Sequence, residues 1–368
     1  MIIQSLKIDS FRNYESCEIS FSPGINIFYG DNAQGKTNIL EAIYVSATTK
    51  SHRGSKDKEM IHFAKDESHL KSVWDKAGME YRVDMHLRKN KAKGIAINSQ
   101  YLKKAAQLLG LCNVVFFSPE DLSIIKSGPE KRRRFMDMEL CQIDASYLYH
   151  LNQYNKVINQ RNALLKEMSF HGNSYTTSQE KIDVLSVWNS QLLNYGEKII
   201  ERRKKYNIDL NNIIKEIHSN LSGGLEDLEV IYAPNADSDH FEEALLQSTE
   251  RDFKYKMTNV GPHKDDLIFK LNGVDARKFG SQGQQRSTAL SLKLAEIQMI
   301  RMIKKDTPLL LLDDVLSELD AKRQNFLLSG IGDIQTIITC TGLDEFVKGR
   351  INIDKIFKVE KGIITSEN

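Results

Sequence analysis

The chain has 368 residues, of which 27% are charged and 40% hydrophobic, and its formal net charge is +2. This length and composition are typical of a globular protein with one large domain or two ordinary ones, so disorder is not the default. Because the net charge is small, any binding of nucleic acid must come from a local basic patch.

Cysteine usage and the N-terminal residues bear on the compartment. The four cysteines lie without CxxC spacing, which argues against a zinc site or a disulfide framework and favours a reducing, cytoplasmic environment. The N-terminus alternates like a strand and does not resemble a secretory signal. No run approaches ~18 consecutive apolar residues, so the sequence predicts no membrane span.

The first part of the chain is predicted to be rich in strands. The predicted strands are Ile2–Ile8, Ser16–Phe21, Ile25–Tyr29, His69–Trp74, Tyr81–Leu87 and Val114–Phe117. One helix is predicted to begin near Lys36 and a second to cover Tyr101–Leu109. Pro119 and Pro129 then mark the point at which the predicted strands give way to helical periodicity.

A phosphate-binding loop is predicted directly after the strand Ile25–Tyr29, where the sequence reads GDNAQGKTN and an apolar helical pattern follows. The glycines let backbone N–H groups point at phosphate oxygens, and the positive end of the helix points the same way. Lys36 would reach the β- and γ-phosphates, and the Thr37 hydroxyl would ligate Mg²⁺. The residues assigned to ATP are Gly30, Asp31, Asn32, Ala33, Gln34, Gly35, Lys36, Thr37 and Asn38.

Helical periodicity dominates from about Glu130 to Asn220. Leu185, Trp188 and Leu192 belong to a long stripe with steps of three and four residues, and the polar stretch Phe170–Ser178 separates this stripe from an earlier one. The spacing predicts two long antiparallel helices packed on each other, each about 50 Å long.

After Ser222 the strand-like alternation of apolar and polar residues returns. The elements predicted there are a helix over Gly283–Ile303, a wholly apolar strand Leu309–Leu312, a helix from Asp320 and a strand Thr336–Thr339. A wholly apolar strand is typical of the buried centre of a sheet flanked by helices. We therefore predict one discontinuous ATPase domain, residues 1–128 and 225–368, into which residues 129–224 are inserted as a helical arm or lid.

The apolar strand ends in Asp313 and Asp314. A carboxylate at the end of a strand beside a phosphate-binding loop holds Mg²⁺, usually through a water, and Asp313 is assigned this role. Asp314, one residue on, would position or activate the water that attacks the γ-phosphate. Lys36 and Asp314 are thus the catalytic candidates from these two motifs.

The stretch GSQGQQR, residues 280–286, directly precedes the long helix. Ser281 could simply cap that helix. A helix N-terminus that carries a serine hydroxyl and exposed N–H groups is also suited to a γ-phosphate. On this basis Ser281, Gly283 and Gln284 are further candidates for contact with the nucleotide.

These motifs together resemble those of ABC-type ATPases, with Ser317–Asp320 as the D-loop. Within that superfamily the chain is most similar to the RecF family of bacterial recombination mediators, relatives of the SMC and Rad50 heads. The matching stretches are Phe11–Tyr14, Gly30–Asn38, Lys50–Arg53, Phe117–Leu122, Gly128–Phe135, Gly261–Leu267, Ser281–Arg286 and Asp313–Asp320. The resemblance implies an α/β ATPase head with a mixed sheet and an inserted, antiparallel coiled-coil-like lid domain.

Three positions depart from the general ABC pattern. Gln282 replaces the first signature glycine, Asp314 stands where a glutamate is usual, and Thr339 or Thr341 stands in for a switch histidine. Because aspartate is one methylene shorter than glutamate, we expect slow, weak ATP hydrolysis that is suited to a timing switch. The resemblance implies that DNA stimulates this hydrolysis.

The resemblance also implies partners. In the ABC arrangement the signature lies across the nucleotide from the loop of another subunit, so it implies an ATP-dependent homodimer in which Ser281 acts in trans. It further implies binding to double-stranded and gapped DNA, and cooperation with recombination mediator proteins so that a recombinase can load. The processes implied are DNA repair, replication restart and the SOS response.

Basic runs supply the candidate DNA contacts, although a solvated helix face would explain each run alone. One run is Lys131–Arg134 and another is Arg202–Lys205. Duplicated across a dimer, such runs would give salt-sensitive binding without base readout. The candidates are Arg53, Lys56, Arg132, Arg133 and Arg134.

His263 and Lys264 could approach nucleotide or DNA, or could lie in a tight turn held by Asp266. The main alternative for the whole chain is the nucleotide-binding subunit of an ABC transporter. The long helical insertion and the basic runs at its base argue against that alternative.

Overall fold

The computed structural model describes residues 1–169, 179–343 and 352–367. The chain folds into two compact units, the first comprising Met1–Leu122 and Leu290–Asn368 and the second Ser123–Ala289. The polar stretch Phe170–Ser178, at which the sequence predicts a break between two helices, lies outside the described residues.

The elements are numbered in chain order. The strands are β1 (Ile2–Phe11), β2 (Tyr14–Ser20), β3 (Ile25–Tyr29), β4 (Glu67–Lys76), β5 (Met79–Arg88), β6 (Gly94–Ile97), β7 (Gln100–Tyr101), β8 (Val114–Phe117), β9 (Leu228–Ala233), β10 (Asp266–Leu271), β11 (Val274–Asp275), β12 (Leu309–Asp313), β13 (Thr336–Cys340), β14 (Ile353–Glu360) and β15 (Ile363–Glu367). The α-helices are α1 (Lys36–Thr48), α2 (Asp57–Met60), α3 (Leu122–Lys126), α4 (Pro129–Ile143), α5 (Ala145–Ser169), α6 (Gln179–Ser222), α7 (Phe241–Gln247), α8 (Thr249–Tyr255), α9 (Ala276–Phe279), α10 (Gln282–Lys304) and α11 (Ala321–Gly330).

The first unit contains two six-stranded sheets. One is antiparallel, in the order β2-β1-β4-β5-β6-β7, and the other is mixed, in the order β15-β14-β3-β13-β12-β8. Helix α1 contacts strands of both sheets and is buried along nearly its whole length. A helix covered on both sides is mostly apolar, and α1 is largely apolar from Ile39 to Ala47, with Glu41 as a buried charge within that stretch. The helix that follows the phosphate-binding loop is therefore fixed by the core of the unit.

The order of the mixed sheet brings the predicted nucleotide motifs together. Strand β13 lies between β3 and β12, and all three run parallel. In the register, Thr339 pairs with Asp313 on one side and with Phe28 on the other. The loop after β3 and the acids at the end of β12 therefore meet at one edge of the sheet, where α/β proteins bind ligands.

The second unit combines helices with a three-stranded sheet, β11-β10-β9. Helices α5 and α6 pack antiparallel, because Glu167 pairs with Lys181 near one end and Asp144, just before α5, pairs with Arg202. The sequence predicted two arms of about equal length. Instead α5 has 25 residues, about 37 Å, and α6 has 44 residues, about 66 Å.

The domain boundary differs from the predicted one, since residues 225–289 group with the helices and not with the first unit. The Asn211 side chain on α6 explains this grouping. It donates to Val230 O at 2.6 Å and accepts from Val230 N at 2.9 Å, so it completes the hydrogen bonding of β9. The alternating segment is thereby joined to the second helical arm.

The helix predicted over Tyr101–Leu109 is wrong. Residues Gln100–Tyr101 form β7, which pairs with the end of β6, and Ala105–Leu108 form a single 3-10 turn. Leu102 N also donates to Ile95 O at 2.8 Å. Pairing with a neighbouring strand thus outweighs the local helical pattern.

Arg203 on α6 holds the helices of the second unit to each other. Its guanidinium donates to Asp265 Oδ2 at 2.8 Å, to Pro262 O at 2.7 Å and to Asp137 Oδ1 at 2.7 Å. The side chains of Arg203 and Asp265 are 1% and 0% exposed. A buried carboxylate depends on such a partner, because an unpaired buried charge costs several kcal/mol.

We expect Arg203→Met to lower the free energy of unfolding by about 3–5 kcal/mol, because it leaves the Asp265 carboxylate buried without its cation. Urea unfolding followed by circular dichroism measures the change. Lys205→Met, an exposed position two residues along the same helix, is the matched control and should shift the free energy by less than about 0.5 kcal/mol. Equal shifts for the two variants would contradict the assignment.

Candidate nucleotide-binding site

A polar cavity of ≈ 400 Å³ opens where β3, β12 and β13 end. The residues that line it are Asn32, Ala33, Gly35, Lys36, Thr37, Asn38, Arg53, Asp313, Asp314 and Thr339. Most of the candidates from the loop, and both acids from the end of the apolar strand, thus face one space. Thr37 and Asp313 are 276 positions apart in the sequence. They meet because β3, β13 and β12 are neighbouring parallel strands.

The loop before α1 has the backbone of a phosphate cradle. Gly30 has φ +151° and Gly35 has φ +113°, and a Cβ at these positions would lie 2.3 Å from Val359 O and 2.5 Å from Asn13 Nδ2. Lys36 Nζ donates to the carbonyl oxygens of Gly30 at 2.5 Å and Asp31 at 2.8 Å. The lysine therefore lies across the loop that would surround the phosphates.

Thr37 and Asp313 form the part of the site that fits a metal ion. Thr37 Oγ1 and Thr339 Oγ1 each donate to Asp313 Oδ1 at 2.8 Å. Burial raises the pKa of Asp313, and the two hydroxyl hydrogen bonds oppose that rise. A carboxylate and a hydroxyl this close are the oxygen ligands that Mg²⁺ takes beside substrate phosphates.

Asp314 follows in the left-handed backbone region, with φ +53°. Its N–H donates to Thr339 O at 3.2 Å and lies 3.0 Å from Thr339 Oγ1. A non-glycine residue in this region is uncommon and is often found at a functional site. Thr339, one of two residues proposed to replace a switch histidine, is thus the one that lines the cavity and contacts both acids.

Two segments support the loop from behind, and their roles were not deduced from the sequence. Asn13 Nδ2 donates to Gln34 O at 3.1 Å and Tyr14 Oη donates to Gly35 O at 3.1 Å. Asn38 Nδ2 donates to Asn13 Oδ1 at 2.8 Å, so Asn13 joins the loop to the start of α1. In the sequence, the motif Phe11–Tyr14 matches the family, but its residue types indicate no function.

The second support is the turn between β14 and β15. Lys361 N donates to Gln34 Oε1 at 2.6 Å and Gly362 N donates to Gln34 O at 3.2 Å. Lys361 and Gly362 both have positive φ, +48° and +78°, as the two central residues of a tight hairpin turn require. Its partner in the loop could not be deduced from the sequence, because the two segments are more than three hundred residues apart.

Arg53 enters the cavity because a buried carboxylate anchors its loop. Glu41 on α1 is 0% exposed and accepts from Arg12 Nε at 2.8 Å, from Arg12 Nη2 at 2.7 Å and from Ser51 Oγ at 2.5 Å. Burial alone would raise the pKa of Glu41, but the hydrogen bonds from Arg12 and Ser51 hold it below its usual value. Arg53, proposed from the sequence to contact DNA, is exposed and lines the nucleotide cavity.

The other basic residues proposed to contact DNA differ in how far they are buried. Arg132 is 3% exposed and its guanidinium donates to both Asp266 oxygens, at 2.6 and 2.9 Å, so it is a structural residue and not a DNA contact. Arg133 is half-buried and donates to Asp265 O at 2.7 Å. Arg134 and Lys56 are exposed.

His263 has a structural role. Its Nδ1 lies 2.9 Å from Tyr154 Oη and its Nε2 lies 3.0 Å from Thr258 O, and burial lowers its pKa to about 4. The turn that contains it is held by Asp265, which accepts from Asn235 N at 2.8 Å, and not by Asp266 as the sequence suggested.

Ser281 caps α10 through a reciprocal pair of hydrogen bonds. Gln284 N donates to Ser281 Oγ at 3.2 Å, and Ser281 N donates to Gln284 Oε1 at 2.8 Å. Ser281 is exposed and Gly283 is half-buried. An exposed helix N-terminus that carries a serine is the kind of place that favours an anion.

The two sheets around α1, the cradle and the acids beside it define an ATPase head of the ABC type. Residues 2–365 match the model of the RecF/RecN/SMC N terminal domain. Among the described residues, none of the helices combines the length and the hydrophobicity needed to cross a lipid bilayer.

The comparisons with individual proteins are more specific. The chain is 57% identical over 368 residues to the DNA replication and repair protein RecF of Lachnospira eligens, with full coverage of both chains. It is 58% identical over 362 residues to the RecF of Agathobacter rectalis, with 98% of each chain covered. A solved structure of the recombination mediator protein RecF with ATP superposes with a TM-score of 0.91 at 34% identity, covering 100% of this chain and 97% of that one.

The chain belongs to the RecF family, and the resemblance inferred from its motifs is confirmed. The predicted fold class, an ABC-type head with a mixed sheet and a helical insertion, is also confirmed. A structure of an Smc head matches with a TM-score of 0.56 at 17% identity, which shows a shared fold alone. The transporter alternative receives no support from these comparisons.

We expect Asn13→Ala to weaken ATP binding about 5- to 150-fold, because it removes two hydrogen bonds of about 0.5–1.5 kcal/mol each that fix the loop. Isothermal titration with a non-hydrolysable ATP analogue measures the dissociation constant. Glu15→Ala, an exposed neighbour on β2, should leave it unchanged. An unaltered affinity in Asn13→Ala would show that the loop does not depend on this support.

Proposed function

We propose that the protein is a DNA-repair ATPase that binds ATP and Mg²⁺ and forms a homodimer in which each nucleotide is enclosed by two subunits. The observation that carries this proposal is the convergence of Lys36, Thr37, Asp313 and Asp314 on one cavity. A second observation is that the signature serine lies exposed at a helix N-terminus.

In the proposed site each residue has one task. Backbone N–H groups of residues 30–38 surround the phosphates, and Lys36 turns from the loop carbonyls to the β- and γ-phosphate oxygens. Thr37 ligates Mg²⁺ and Asp313 holds it through a water. Asp314 accepts the proton of the attacking water.

Hydrolysis is proposed to be weak and to be stimulated by DNA. The backbone of Asp314 is tied to Thr339, and its side chain is one methylene shorter than the glutamate usual at this position. A shorter carboxylate on a restrained backbone has less reach towards a water at the γ-phosphate. Slow turnover would make the nucleotide a timer rather than a source of repeated movement.

The second half of each site is proposed to come from the other subunit. Ser281, Gly283 and Gln284 at the start of α10 would bind the γ-phosphate held by the partner's loop, where the helix end favours negative charge. The γ-phosphate then provides a contact that ADP lacks. Its loss on hydrolysis would loosen the dimer.

A complementation experiment tests the shared site. Lys36→Met and Ser281→Arg should each abolish ATP hydrolysis, because every site in either homodimer lacks one half. In a 1:1 mixture about half of the dimers are mixed, and each of these carries one intact site, so about a quarter of the wild-type rate should return. Phosphate release measures the rate.

Two observations make this result decisive. Lys58→Met, an exposed lysine of the same unit, should keep the full rate and is the control for Lys36→Met. Analytical ultracentrifugation establishes that mixed dimers form with ATP. Mixed dimers without any recovery of hydrolysis would refute the shared site.

DNA binding is proposed to be electrostatic. Lys131 and Arg134 lie exposed in the first turns of α4, and Lys56 lies exposed at the start of α2. A dimer doubles each of these charges, which favours sequence-independent contact with the phosphates of duplex or gapped DNA. Other recombination mediator proteins are the proposed partners, because a relative of known structure is described as a mediator in the RecFOR pathway.

We expect ATP to increase affinity for gapped and duplex DNA relative to ADP, and Lys36→Met to remove the increase. A double variant, Lys131→Glu with Arg134→Glu, should weaken binding at least tenfold and reduce its salt dependence. Gel-shift titrations at two salt concentrations measure both effects. The control is Lys91→Glu with Lys103→Glu, which makes the same charge change at exposed positions elsewhere. Equal binding with ATP, with ADP and in Lys36→Met would contradict the coupling.

A further inference from the structure

A group of metal-binding side chains lies on the antiparallel sheet of the first unit, on another sheet than the nucleotide motifs. Glu67 and His69 are two residues apart on β4, so both point to the same face. His86 on β5 is directly opposite His69 in the register of the two strands. Strand pairing therefore places two imidazoles and one carboxylate together.

The side chains are already close to one another. The rings of His69 and His86 are stacked, with centroids 3.9 Å apart and an angle of 21° between their planes. His86 Nε2 lies 2.8 Å from Glu67 Oε2. One nitrogen or oxygen atom from each of the three residues lies within 4.8 Å of the others.

We propose that Glu67, His69 and His86 bind a first-row divalent transition ion such as Zn²⁺. Imidazole nitrogen and carboxylate oxygen are both common zinc ligands, at about 2.0–2.2 Å. Mg²⁺ prefers an octahedron of oxygen ligands and would not compete for two imidazoles. The site is therefore distinct in chemistry from the Mg²⁺ site beside ATP.

The geometry needs only side-chain movement to close around an ion. Ligand atoms in a tetrahedral zinc site are about 3.4 Å apart, as follows from the bond lengths, so atoms now as much as 4.8 Å apart must approach. Glu67 is 55% exposed and His86 is 30% exposed, which leaves room for rotation. All three residues occupy strands whose backbones are paired, so the scaffold stays in place.

The surroundings allow the remaining ligands to be water. His69 and His86 line an open hollow of ≈ 540 Å³ on this face of the sheet. Its wall carries charges of both signs, namely Lys7, Asp9, Lys71, Asp84 and Arg88. In the register of β1 and β4, Asp9 lies opposite His69. The Oδ1 atom of Asp9 accepts a hydrogen bond from Ser16 Oγ at 2.7 Å.

Metal binding competes with protonation of the two imidazoles. A ligating imidazole must be neutral, so binding should weaken as the pH falls. A bound ion would link β4 to β5 and stabilise the sheet that covers α1.

Zinc binding to the full-length protein tests the proposal. Isothermal titration with ZnCl₂ in excess Mg²⁺ should show about one site, and His69→Ala and His86→Ala should each weaken it at least tenfold. Glu67→Gln should weaken it less, because an amide oxygen remains. The matched control is His240→Ala, an exposed histidine outside the cluster, which should bind as the unaltered protein does.

Cobalt provides a second readout that separates this site from the cysteines. Co²⁺ should give a visible d–d spectrum without a thiolate charge-transfer band, and the spectrum should disappear in His69→Ala while the far-ultraviolet circular dichroism persists. Absence of zinc binding, equal affinity in the cluster variants and in His240→Ala, or a thiolate spectrum would each overturn the proposal.

Discussion

The hydrogen bonds around Asp313 are the interaction on which the nucleotide site depends. Its Oδ1 accepts from Thr37 at the start of α1 and from Thr339 at the end of β13, so one carboxylate oxygen joins the ends of three neighbouring segments. This contact is possible because β13 separates β3 from β12 and all three strands run in the same direction. The adjacency of these parallel strands thus gives the cradle its metal-binding acid.

The phosphate-binding loop is also fixed by hydrogen bonds from segments outside the three strands. Asn13, Tyr14 and the turn at Lys361 and Gly362 bond to residues 34 and 35 from two separate segments. A loop whose glycines give it freedom in the unfolded chain needs such partners to keep one conformation in the folded one. The motif Phe11–Tyr14 is thereby explained physically, as a support of the loop rather than a ligand of the nucleotide.

The basic runs of the sequence do not reveal which of their residues are buried. Arg132 and Arg203 stand in dense basic runs, yet both are buried and paired with the aspartates of Asp265–Asp266. A run of like charges looks the same in a sequence whether its members face water or a distant carboxylate. Burial is decided by segments more than sixty residues away, and among the candidates outside the nucleotide cavity only Arg134 and Lys56 remain exposed.

Local chemistry determined much of this protein from its sequence alone. The glycine-rich loop, the apolar strand with two terminal acids, the capped helix at Ser281 and the long helical stripes each depend on residues close together in the chain, and each lies where the pattern predicted. Tertiary structure alone decided the pairing of β7 in place of a helix, the grouping of residues 225–289 with the helical arms, and the entry of Arg53 into the nucleotide cavity. These features depend on strand pairing and buried ion pairs between distant segments, whose free energies are absent from any local window of sequence.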